Sequence, residues 1–296
     1  MTHLKTILYC VLLSGLVRSA SGQLPDTDIF LATVSDTGDG WEFGEAENIS
    51  ARPGYDNQPS FSSGSSTLLY VAVMDSVQSD IMEYDPEGKI SRLLISTPES
   101  EYSPVFTPDG KAISVVRVDF DAGQRFYTLS PEYPFEPTLI PNTDSVGYYC
   151  WLNDSLLAMF LVGERFALTV LNVNTTERNL IRYDIGRCLK LSPDRNSLYF
   201  LDKSDSLNWK IAAMSIQGGE VKTVCDALGK NEDFALLPDG TILMGNEGKL
   251  YIRNTAKHSD WKLSRDYTAS IGSFYRISVN ESGTRIAFVS FTGRKP

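Results

Sequence analysis

The stretch Ser103-Pro-Val-Phe-Thr-Pro-Asp-Gly-Lys-Ala-Ile-Ser-Val-Val116 reads as a short strand, a tight turn and a second strand. Pro presets φ for the first corner of a type I turn, and Asp tolerates the second. Gly then takes the left-handed conformation that returns the chain into a hairpin. The residues that follow are β-branched, as strand residues tend to be.

The same unit recurs along the chain. It appears as Pro59-Ser-Phe-Ser-Ser-Gly-Ser-Ser-Thr-Leu-Leu-Tyr-Val71 and as the degenerate Tyr148-Tyr-Cys-Trp-Leu-Asn-Asp-Ser-Leu-Leu-Ala-Met159. It returns as Cys188-Leu-Lys-Leu-Ser-Pro-Asp-Arg-Asn-Ser-Leu-Tyr-Phe200 and Phe234-Ala-Leu-Leu-Pro-Asp-Gly-Thr-Ile-Leu-Met244, then as Ile277-Ser-Val-Asn-Glu-Ser-Gly-Thr-Arg-Ile-Ala-Phe-Val289. In the fourth copy Asn196 is read as the residue standing in for the turn glycine. The apolar residue two before the turn proline, or its equivalent, anchors each copy. The anchors are Phe61, Phe106, Trp151, Leu191, Leu236 and Val279, spaced 45, 45, 40, 45 and 43 residues apart. A period near 45 is the length of one four-stranded propeller blade.

The expected fold is therefore all-β: a six-bladed β-propeller of four-stranded antiparallel blades. The sixth copy supplies two strands before the chain reaches Pro296. Two strands remain at the other end, Asp28–Val34 and Trp41 through Ile49. These are expected to complete the last blade, which hides two open sheet edges. No convincing amphipathic helix appears after residue 22.

Residues 1–22 read as a cleaved signal peptide, and residues 23–296 as the propeller. Lys5 precedes a short apolar run from Thr6 to Val17, and Ala20-Ser-Gly22 offers small residues for cleavage before Gln23. The expected location is the periplasm or the outside of the cell, with no membrane span in the mature chain. The residues after the signal include Cys150, Cys188 and Cys225, so at most one disulfide is expected.

The motif at Ser103–Lys111 resembles the repeat of the TolB-like β-propeller family, and the resemblance covers nearly all of residues 23–296. It implies the propeller fold. TolB itself is a periplasmic scaffold that binds partner proteins and carries an extra N-terminal α/β domain, for which no segment is seen here.

Composition narrows the function. The 296 residues carry 27 Lys and Arg against 37 Asp and Glu, a formal charge of −10. With no basic block, nucleic acid is not an expected partner. The 2 histidines argue against a His-rich metal centre. One of them, His258, reads as a turn residue rather than a triad member. No G-x-S-x-G elbow, phosphate loop or Rossmann fingerprint is present. No cofactor and no metal are expected. Asp36-Thr-Gly-Asp-Gly40 is the nearest thing to a calcium-loop fragment, but its Asp/Gly composition is read as an ordinary strand connection.

The candidate site is geometric. Loops that lead into the innermost strands surround one mouth of a propeller channel. Aligned on the anchors, that mouth gathers Tyr55, Asp56, Asn57, Glu101, Tyr102, Tyr148, Arg187, Glu232, Asp233, Tyr275 and Arg276. Tyr and Arg at such a place suit a binding surface, because they join large area to hydrogen bonding. The alternative for each tyrosine is packing between blades. The reading is a monomeric, non-enzymatic module for a protein or a small polar ligand. The alternative is a carboxylate-dependent hydrolase or lyase acting on carbohydrate or peptide, with Glu99, Glu101, Glu232 and Asp233 as its acids.

Overall fold

The computed structural model describes residues 24–64, 67–74, 78–256 and 260–292. The proposed signal peptide and His258 lie outside the described residues. Among the described residues the secondary structure is all β, and no helix is long and apolar enough to cross a membrane.

The chain opens with β1 (Thr27–Asp36), β2 (Trp41–Phe43) and β3 (Glu47–Asn48). Asp36–Gly40 forms the hairpin turn between β1 and β2, where Thr37 N donates to Gly40 O at 2.9 Å. Next come β4 (Tyr55–Phe61), β5 (Leu68–Val73), β6 (Asp80–Asp85) and β7 (Ile90–Ile95), an antiparallel meander. A second meander holds β8 (Ser100–Phe106), β9 (Ile113–Val118), β10 (Gln124–Leu129) and β11 (Pro137–Leu139). A third holds β12 (Val146–Trp151), β13 (Leu156–Leu161), β14 (Ala167–Asn172) and β15 (Arg178–Tyr183). A fourth holds β16 (Ile185–Leu191), β17 (Ser197–Asp202), β18 (Lys210–Ser215) and β19 (Lys222–Asp226). A fifth holds β20 (Phe234–Leu236), β21 (Ile242–Asn246), β22 (Lys249–Arg253) and β23 (Lys262–Asp266). The chain finishes with β24 (Phe274–Val279) and β25 (Arg285–Phe291).

The first and last strands of the described residues share a sheet. β1 pairs antiparallel with β25 from Thr27↔Phe291 to Thr33↔Arg285, and β2 and β3 both pair on the other side of β1. The outer strand expected over 41–49 is thus two short pieces. β1 also makes a single parallel bridge, Thr27↔Tyr55, to the first meander.

Each repeat anchor is the last residue of its strand: Phe61 of β4, Phe106 of β8, Trp151 of β12, Leu191 of β16, Leu236 of β20 and Val279 of β24. Four of the turns behind the anchors share one hydrogen bond. Gly110 N donates to Thr107 O at 2.8 Å, Gly240 N to Leu237 O at 2.8 Å and Gly283 N to Asn280 O at 2.9 Å. In the fourth copy the left-handed residue is Arg195 (φ 59°), not Asn196, and Arg195 N donates to Ser192 O at 2.8 Å. The aspartate explains the substitution. Asp194 accepts from Ser192 Oγ at 2.5 Å and Asn196 N at 3.1 Å, which fixes the turn around an arginine.

The core lies between sheets. Strand periodicity of two sends alternate residues to opposite faces. In β5, Leu68, Tyr70 and Ala72 pack against Ile29, Leu31, Ala287 and Val289, while Leu69, Val71 and Val73 pack against Ile113 and Val115 of the next sheet. The pattern continues through Phe126 with Tyr149 and Phe160 with Phe200, then Cys188 with Phe234 and Leu243 with Phe288. Strands buried on both faces read as apolar runs rather than as alternations, as in Leu68–Val73. Truncating a fully buried residue such as Leu69 or Leu198 to Ala would cost about 2–5 kcal/mol. Cys150, Cys188 and Cys225 are all thiols, none joined in a disulfide. Cys188 and Cys225 lie buried in the layer between the fourth and fifth meanders.

Candidate functional site

The first strands of the sheets are irregular where the predicted site falls. Register shifts occur between Asn57 and Ser60, Tyr102 and Val105, Val146 and Tyr148, Ile185 and Leu189, and Phe274 and Arg276. A bulge of this kind frees residues from the ladder and re-aims their side chains. Gln58 and Ser103, 45 residues apart, carry it furthest, with φ of 55° and 54°. Such non-glycine conformations cost on the order of 1–3 kcal/mol and persist where their surroundings hold them. Here Gln58 Oε1 accepts from Ser103 N at 2.6 Å, tying β4 to β8.

The re-aimed side chains meet. Arg276 Nη2 of β24 donates to Tyr148 OH of β12 at 2.7 Å, and its guanidinium carbon lies 5.0 Å from the centre of that ring. On another side, Arg276 Nη1 lies 3.9 Å from Asp233 Oδ1, just before β20. Arg187 of β16 makes an ion pair with Asp233 Oδ2. Glu232 accepts from Arg187 N at 3.1 Å and pairs with Lys203, a residue the sequence reading passed over. Tyr275 receives a hydrogen bond from Asn57 Nδ2 and stacks on Phe291 at 4.9 Å. Tyr55 is buried beside this group, and the neighbourhood of Tyr275, Arg276, Tyr148 and Tyr102 acts on its hydroxyl.

Electrostatics fix the charge states. Burial acts to raise the Asp233 carboxyl, but Arg187 and Arg276 outweigh it and hold Asp233 below the usual range. Burial disfavours the charged form of Arg276, yet its surroundings raise its pKa, so it stays a cation. Burial raises the hydroxyls of Tyr55 and Tyr275 above the ordinary phenol range, so both are neutral at pH 7. Asp233 is therefore the formal counter-charge that both guanidiniums share.

Asp56 and Glu101 stand apart from this cluster. They precede Asn57 and Tyr102 by one position, so strand alternation turns them to the opposite side. Asp56 makes an ion pair with Arg52, and burial outweighs that arginine and pushes its pKa up to about 6. Glu101 is 0% exposed and takes a hydrogen bond from Thr97. Burial pushes its carboxyl up to about 8, so it is mainly protonated at neutral pH. Arg52 and Thr97 are themselves 45 residues apart, so the anchor spacing applied four positions upstream of each acid finds them. Among the described residues, no group of three or more His, Cys, Asp or Glu is arranged to hold a metal ion.

No family model matches this chain, and no curated protein matches it. Solved structures do. A TolB from Acinetobacter baumannii superposes with a TM-score of 0.59 at 12% identity, over 91% of this chain and 66% of that one. A protein assigned as TolB from Agrobacterium tumefaciens gives 0.70 at 11% identity, over 91% and 99%. A gluconolactonase from Xanthomonas campestris gives 0.62 at 9% identity, over 94% and 99%. At these identities the likeness is one of fold, and it is that of a TolB-like β-propeller.

Proposed function

We propose that this chain is an exported, non-enzymatic binding module of six blades, acting as a monomer in the periplasm or outside the cell. In this reading β24, β25 and β1 with β2 and β3 make the sixth blade, so the N-terminal strands close the circle. The first strands of the blades then surround a channel. The mouth of that channel takes a protein or a small polar ligand through Asn57, Tyr102, Tyr148, Arg187, Asp233, Tyr275 and Arg276. Asp56 and Glu101 serve this site by holding the neighbouring strands in place rather than by contact.

One observation carries the proposal: the contact of Arg276 with Tyr148. β24 and β12 are far apart in sequence, and in the six-blade order of this reading their blades stand three apart in either direction. A direct contact between them fits opposite blades meeting across a channel. Large aromatic and arginine side chains at such a centre are the residue types of binding hot spots.

The test is capture from envelope extract with residues 23–296, followed by Ala and charge-reversal substitutions at the seven residues. One stoichiometric partner, lost on substitution of Arg276, Tyr148 or Tyr102, is the expected result. A partner retained by every variant would overturn the site.

The likeness to a gluconolactonase supports a second reading, a hydrolase. Its chemistry would fall to Glu232 and Asp233, since Glu101 is fully buried. Turnover of a sugar lactone, abolished by Asp233→Asn, would establish that reading in place of the first.

A further inference from the structure

The cluster of Arg276, Arg187 and Asp233 is unbalanced in charge. Three cations, Arg187, Arg276 and Lys203, meet two carboxylates, Asp233 and Glu232. A fourth cation, Lys190 on β16, also acts on Asp233. The side chains of Arg187, Arg276 and Asp233 are only 13%, 12% and 9% exposed. The protein as a whole carries −10, so this excess of positive charge runs against its composition. Burying an uncompensated cation is strongly unfavourable. A protein that does so at one place has a use for the charge there.

Donors are also left over. Arg276 uses Nη2 on Tyr148 and places Nη1 toward Asp233, while Arg187 uses Nη2 on Asp233. The buried Nε of each arginine has no hydrogen-bond partner among the described residues. Tyr148 OH accepts from Arg276, so its own proton is available to another acceptor. Two guanidinium forks and a phenol thus offer N–H and O–H groups with no acceptor assigned.

We infer that this cluster binds a carboxylate, received between Arg276 and Arg187 beside Tyr148. The inference rests on the channel-mouth reading above and names its ligand class. A planar carboxylate matches the guanidinium fork and brings negative charge to a place where cations are in excess. The carboxylate can belong to a sugar acid or to an acidic peptide, and both present the same group to the arginines.

Calorimetric titration of residues 23–296 with gluconate, glucose, a capped peptide of one glutamate, and inorganic phosphate tests the inference. Gluconate or the peptide is expected to bind at least tenfold more tightly than glucose. Which of the two binds more tightly identifies the source of the group. Arg276→Gln should weaken that binding by tenfold or more. Tyr148→Phe keeps the ring and removes the hydroxyl that holds Arg276, so it should weaken binding about threefold even if the arginine variant does not fold. Absence of carboxylate binding at millimolar concentration, equal binding of glucose, tighter binding of phosphate, or indifference to both substitutions would overturn the inference. Should a protein partner still be captured through Tyr102 and Asn57 in that event, the binding-module reading survives and only its ligand class is lost.

Discussion

The junction of β1 with β4 and the junction of β6 with β8 are built on one plan and differ in what opposes a buried acid. In the first, Thr27 N donates to Gly54 O at 3.0 Å and Thr27 Oγ1 to Asp56 O at 2.9 Å. In the second, Glu101 N donates to Ser79 O at 3.1 Å and Ser79 Oγ to Glu101 O at 2.8 Å. An aspartate follows each hydroxyl residue, Asp28 and Asp80, and each raises the pKa of the acid it faces. Four residues before the acid the plans part. Arg52 meets Asp56, whereas Thr97 meets Glu101. The remaining groups acting on Glu101 are Arg117 and Glu99. Arg117 is already engaged, 2.7 Å from Asp119 and 3.9 Å from the centre of the Tyr127 ring. A cation close at hand lets one junction carry a charge. A hydroxyl alone leaves the other holding a proton.

The sharpest break of this comparison is Arg52→Ala. It strips a buried carboxylate of its partner and should cost about 3 kcal/mol at pH 8. The loss should shrink at pH 5, where Asp56 is protonated. Denaturant unfolding at the two pH values measures it, and an equal loss at both would remove the ion pair from the explanation.

Glu101→Gln comes next. The unfolded chain releases this proton near pH 4.5, while the native state holds it to about 8. Glu101 therefore favours the fold below pH 4.5, and that contribution is lost as pH rises through about 8. Asp56 acts with the same sign between 3.8 and about 6. The amide variant should exceed the parent in stability by on the order of 2 kcal/mol at pH 8.5 and match it near pH 4.5. A parent whose stability rises from pH 5 to 8, with the rise unaltered by the substitution, would contradict this.

The smallest effects belong to the shared part of the plan. Thr27→Val and Ser79→Ala each remove one buried hydroxyl donor and should each cost about 1 kcal/mol. Because the two junctions are alike here, the two losses should agree within a few tenths and add in the double variant. A large mismatch would mean that the hydroxyls do different jobs.

Much of this architecture was legible in the residues. Phe61, Phe106, Trp151, Leu191, Leu236 and Val279 each end a strand, because a turn with fixed chemistry follows at a fixed distance. The pairing of the N-terminal strand with the last strand followed from counting strands at the two ends. What escaped was side-chain direction. Strand alternation parts Asp56 from Asn57 and Glu101 from Tyr102, but the register shifts that follow Asn57 and Tyr102 hide from the sequence which of each pair faces the cluster. Arg195 in the left-handed turn position escaped too, since the hydrogen bonds of Asp194 override the ordinary preference for glycine or asparagine. Lys203 reaches Glu232 across 29 residues, a distance at which nothing local in the sequence announces a partner.

Closure of six blades through β1 is most directly tested by hydrogen exchange followed by mass spectrometry. If β1 is a central strand zipped onto β25, amides over residues 27–33 should be protected as long as those of β5, residues 68–73, and should open together with residues 285–291. Exchange of residues 27–33 within seconds, while β5 and β25 stay protected, would contradict it.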